Sequence, residues 1–140
     1  MKQRILACLL VLGICGTFSI TAKAGAYSSY SFTLDNRVVD GSTTGSYHVL
    51  DTGAAYISGS HYVYSTDSNK LSTQNTLYYS LVREVTGPDV VYGTVSYSAG
   101  QSPNGERIGT ADVKSGRYYL QIFKLEDDGY NIKGSGAIYN

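Results

Sequence analysis

Large side chains recur at every second position along most of this chain, with serine, threonine and glycine between them. In "YSSYSFTL", Tyr30, Phe32 and Leu34 share one side, the period of an extended strand that buries one face. Tyr47 and Val49 alternate with His48 and Leu50 in the next such stretch. Ala54–Ile57 and His61–Ser65 read as one strand interrupted at "SGS", where Gly59 would tolerate a bulge. Leu77, Tyr79, Leu81 and Val85 share a face, as do Val91, Val95 and Tyr97 after the turn "TGPD", whose bend Pro88 fixes. No stretch repeats at the helical period.

Turn-forming residues mark the breaks between these runs. Loops are predicted at Ser65–Asn75 and Ser98–Glu106. The last two strands, near Gly116–Leu125 and Gly129–Tyr139, are joined through "EDDG", and Asp128 followed by Gly129 signals a tight hairpin. Seven or eight short strands at this spacing predict an all-β fold, an antiparallel β-sandwich of jelly-roll-like type in preference to a small barrel. There is no internal repeat and no sign of a second domain.

The first stretch breaks the pattern. Lys2 and Arg4 precede an apolar run from Ile5 to Ile20, followed by Ala22-Lys23-Ala24, the layout of a cleaved secretory signal. Residues 1–24 are read as the leader, with cleavage after Ala24 or alternatively after Ala26, and residues 25–140 as a single secreted domain. Both cysteines, Cys8 and Cys15, fall in the leader. The processed chain then has no disulfide and depends on its core, which suits a bacterial exported protein. It carries 8 basic against 11 acidic residues, net −3. With no basic cluster, the sequence argues against a nucleic-acid partner, and no transmembrane segment is expected after the leader.

Candidate chemistry is sparse. There is no G-x-S-x-G elbow, and neither H-x-H nor H-x-x-x-H spacing for a metal. His48 and His61 are the only near-neutral bases, and Asp51 on the strand of His48 does not make a triad. "EDDG" lacks the alternating acids of a calcium loop and reads as a solvated turn. No catalytic residue, metal or cofactor is assigned.

What the sequence has in quantity is tyrosine, 14 of them against 3 Phe and no Trp. In "SGRYYLQIFK", Tyr118, Leu120 and Ile122 make the better core face, which sends Tyr119 and Phe123 outward. The same split sends Tyr78 away from Leu77, Tyr79 and Leu81, and puts Tyr62 and Tyr64 together opposite Val63. Strand tyrosines ordinarily pack their rings and wet their hydroxyls, but a contiguous outward set would make a contact face at low entropic cost. Tyr62, Tyr64, Tyr78 and Tyr119 are therefore the candidate partner-binding residues.

"SGRYYLQIF" followed by "GYNIKGSG" resembles the closing strands of bacterial pre-peptidase C-terminal-type β-sandwich modules, which pair a Gly-x-Tyr-Tyr strand with a Tyr-x-Ile/Val strand. The resemblance implies a non-catalytic extracellular module. It is confined to the C-terminal part of the chain, no peptidase is attached, and it carries over no functional residue. The function expected is binding of a protein, glycan or cell-surface partner. The alternatives are a secreted toxin acting on other cells and, third, a hydrolase.

Overall fold

A computed structural model describes residues 25–140; the leader read over residues 1–24 lies outside the described residues. The elements run β1 (Tyr27–Leu34), β2 (Val38–Asp40), α1 (Gly41–Thr44), β3 (Tyr47–Leu50), β4 (Tyr56–Thr66), β5 (Leu77–Arg83), β6 (Val90–Tyr97), β7 (Asn104–Arg107), β8 (Gly116–Phe123) and β9 (Tyr130–Tyr139). They form two antiparallel sheets. The first has the order β1-β9-β4-β7, and the second β2-β8-β5-β6 with β3 also beside β8.

β2 and β3 are two halves of one strand. Val38–Asp40 pair with Phe123, Ile122 and Gln121, and Tyr47–Leu50 pair with the earlier half of β8, from Tyr119 back to Gly116. The break is α1, a single turn. The Asp40 carboxylate accepts from the Ser42 backbone N–H at 2.8 Å and starts it, and Gly45 ends it in the left-handed conformation, φ 71°. Counting the halves together leaves four strand positions in each sheet, the layout of a jelly roll.

The alternation read from sequence decides the interior. Tyr30, Phe32 and Leu34 of β1 are buried, as are Leu77, Tyr79 and Leu81 of β5 and Tyr118, Leu120 and Ile122 of β8. In β3 the inner pair is His48 and Leu50, while Val49 is exposed. Val91 departs from its expected face. The register against β5 skips Tyr92, and this bulge turns Val91 out to 58 % exposure while Tyr97 stays in.

Two local expectations are corrected. β4 runs unbroken through Ser58-Gly59-Ser60, with Gly59 paired in register to Gly136; its bulge against β9 lies further on, between Val63 and Ser65. Gly59 and Gly136 serve close approach. The Tyr30 hydroxyl, which donates to the Ser58 carbonyl at 3.3 Å, would lie 2.7 Å from a Cβ on either one. The segment Ser98–Glu106, read as loop, contains the start of β7.

The larger correction concerns "EDDG". β8 and β9 are not a hairpin, because β8 belongs to the second sheet and β9 to the first. The turn instead carries the chain between sheets, with Gly129 at φ 69°. Nor is it solvated. Lys124 and Asp128 are both fully enclosed and form an ion pair. Lys124 also donates to the Tyr130 carbonyl at 2.8 Å, and Asp128 accepts from the backbone N–H groups of Asn75 at 2.6 Å and Tyr130 at 3.1 Å. Burial pushes the Asp128 carboxyl up, but these donors outweigh it and hold the group below its ordinary range. A lysine and an aspartate four residues apart were in the sequence; nothing in it showed that these two side chains would be enclosed while the residues between them stay exposed.

Candidate binding face

The outer face of the first sheet can be built row by row from its register. Tyr27, Tyr139 and Tyr56 stand abreast on β1, β9 and β4. Next come Ser29, Ala137 and Ser58, then Ser31, Ser135 and Ser60, then Thr33, Lys133 and Tyr62. Rows two residues apart lie about 7 Å from one another, so these four cover about 20 Å along the strands.

The first row is a stack. The Tyr27 and Tyr139 rings lie 6.3 Å apart at 22°, and Tyr56 and Tyr139 lie 5.8 Å apart at 17°. Tyr139 is held between the other two rings, while Tyr27 at the edge of the row stays 75 % exposed. The last row behaves differently. Tyr62 is 61 % exposed, and beside it the Lys133 ammonium sits over the Tyr64 ring, 4.3 Å from its centre. Tyr64 donates its hydroxyl to Asp35, and that hydrogen bond, followed by desolvation, raises the phenol above its ordinary range.

Between the two tyrosine rows lies a floor of small hydroxylated side chains. A cleft of about 630 Å³ opens over part of it, bordered by Ser31, Thr33, Ser60, Tyr62, Lys133 and Ser135 and reaching Val39 and Thr44 at the side. Lys133 is the one charged residue of its lining. Each serine hydroxyl both donates and accepts, and the Tyr62 ring adds an apolar plane. Such a surface offers hydrogen bonds in both directions beside an apolar ring face.

The four tyrosines expected to share a contact face do not. Tyr62 and Tyr64 lie on the outer face of the first sheet, whereas Tyr78 and Tyr119 lie on the outer face of the second. Tyr78 is half-buried and stacks on Phe123 at 5.2 Å and 15°. Tyr119 points away from the core as alternation requires, but it is only 7 % exposed, which corrects the expectation that it is open. Its ring meets the Tyr47 ring edge-on at 6.2 Å, and its hydroxyl donates to Asp89 at 3.0 Å. Burial, then the Asp89 carboxylate, pushes its phenol up to about 12. Sequence reasoning passed over Tyr27, Tyr56, Tyr139 and Lys133, because their adjacency exists only once β9 is placed between β1 and β4.

The two histidines sit elsewhere, with hydroxyl partners. His48 Nδ1 lies 2.8 Å from Ser28 Oγ, and His61 Nδ1 lies 2.9 Å from the Tyr79 hydroxyl. Burial holds both rings below the ordinary histidine range, so both are neutral at pH 7. Among the described residues no group of three or more His, Cys, Asp or Glu stands together as a metal site, and no helix is long and apolar enough to cross a membrane. Comparison of the chain with family models, with curated proteins and with solved structures gives no match.

Proposed function

We propose that this is an exported, non-catalytic binding protein whose ligand is a glycan laid across the outer face of the first sheet. The observation that carries the reading is the floor of serine hydroxyls around Ser31, Ser60 and Ser135 with the open Tyr62 ring at its side. Sugar hydroxyls would exchange hydrogen bonds with the serines, and the apolar face of a pyranose ring would rest on Tyr62. The bacterial modules that the last strands resemble are extracellular and non-catalytic, which agrees with this reading.

The test is retention on insoluble polysaccharides and a glycan array, comparing the wild-type protein with Tyr62→Ser and with Ser135→Leu, which fills the floor. Loss of an interface aromatic costs about 2 kcal/mol, roughly a thirtyfold weakening. Both variants should lose retention while melting at the wild-type temperature. Unchanged retention by both would move the site elsewhere, and a wild type that retains no polysaccharide would remove the glycan.

A further inference from the structure

Behind the cleft, between the sheets, residues of β1, β2, β3 and β8 and of the turn α1 line a much smaller cavity. Its volume is about 20 Å³, where a single water needs roughly 10–15 Å³. Ser31, Phe32, Val39 and Thr44 line both spaces, so the cavity lies immediately inside the cleft wall.

His48, 1 % exposed, is one of the residues that line the cavity. One ring nitrogen is engaged with Ser28 Oγ at 2.8 Å. The other, Nε2, is buried and has no protein partner. A buried ring nitrogen in that condition loses its hydration and gains nothing in return, unless something in the cavity bonds to it. Hydroxyl-bearing residues line the same space, Thr44 and Ser46 beside His48 and Tyr30 and Ser31 on β1. Thr44 Oγ1 directs its proton to the carbonyls of Gly41 and Asp40, at 3.2 and 3.3 Å, which leaves its lone pairs free to accept.

We propose that this cavity is a single-oxygen binding site, occupied by one water held by His48 Nε2, Ser46 Oγ and Thr44 Oγ1. Three polar partners is the usual complement of a buried water, whereas cavities that stay dry are lined by apolar groups alone. Water also removes the question of tautomer. If Ser28 donates to Nδ1, the Nε2–H donates to the water; if Nδ1–H donates to Ser28, Nε2 accepts from it. The site is a property of the fold and holds whether or not the cleft outside takes a glycan. It gives α1 a purpose, since the turn that splits β2 from β3 brings Thr44 and Ser46 to the same point.

The experiment is nuclear magnetic resonance on the purified protein. A water-selective rotating-frame Overhauser measurement on the wild type should give a cross-peak from a long-lived water to the His48 ring protons. Oxygen-17 relaxation dispersion should then show that His48→Leu, which keeps the bulk and removes the nitrogen, loses the equivalent of one long-lived water. Absence of the wild-type cross-peak overturns the proposal, and it does so even if the variant fails to fold. An undiminished dispersion amplitude in a folded variant overturns it as well.

Discussion

The two sheets send tyrosines outward by the same alternation and treat them in opposite ways. On the second sheet every outward ring is caught. Tyr119 lies against Tyr47 and holds Asp89; the Arg117 guanidinium covers the Tyr47 ring, 3.7 Å from its centre, and donates to Glu84 at 2.9 Å; Tyr78 lies on Phe123. On the first sheet the tyrosines are parted by rows of serine, and Tyr62 is left open. Strand parity decides which face a residue joins. What packs over it from neighbouring strands and loops decides whether that residue remains accessible, and a ligand sees only the second.

The largest effect should come from the segment that binds the two sheets together. Asp128→Ala leaves the enclosed Lys124 ammonium without its counter-ion, and removing one member of a buried pair costs about 3–5 kcal/mol. Urea unfolding measures it; a loss below about 1 kcal/mol would mean that the crossing is held by its backbone alone. The pH dependence has a definite sign. Because Asp128 is depressed in the folded state, its contribution is complete above the unfolded carboxyl value of about 3.9. It disappears as the pH falls through the lower folded value. Wild type should show that acid loss and Asp128→Ala should not.

Next is the comparison itself. Tyr119→Ser removes a buried ring and should cost about 3 kcal/mol, whereas Tyr62→Ser should cost under about 0.5 kcal/mol. Equal melting temperatures for the two variants would erase the difference between the sheets. A weaker effect concerns the histidines of the core. His48 and His61 are held below their ordinary range, so the unfolded chain binds more protons below pH of about 6.5. Stability is full above that value and declines toward pH 5, and a melting temperature flat from pH 8 to 5 would count against neutral, enclosed rings. The smallest expected change in stability, that of Tyr62→Ser, accompanies the largest expected change in binding.

How much of this was legible beforehand follows from the range of the forces involved. Alternation is local, so the inner faces of β1, β5 and β8 and the all-β sandwich followed from neighbouring residues. Partners are not local. Asp128 and Gly129 carry the local signature of a hairpin, and the chain crosses between sheets there because β9 finds β1 and β4 instead of β8. Tyr119 was placed on the correct side but could not be seen to be covered, since Tyr47 and Asp89 arrive from distant strands. The serine floor was equally hidden. Its rows combine one residue each from β1, β9 and β4, and no reading of one segment at a time assembles them.

The place of β9 has a consequence for the order in which the molecule comes together. It is synthesised after β1 and β4, yet it lies between them in the sheet, paired with β4 along its length and with β1 from Ile132 to Tyr139. Until it emerges, two long strands wait with unpaired backbone, the condition in which chains recruit one another. Pairing between the two ends of the domain is also slow to form. The serines of β1 and β4 keep one face of each waiting strand polar, which lowers its tendency to recruit another chain.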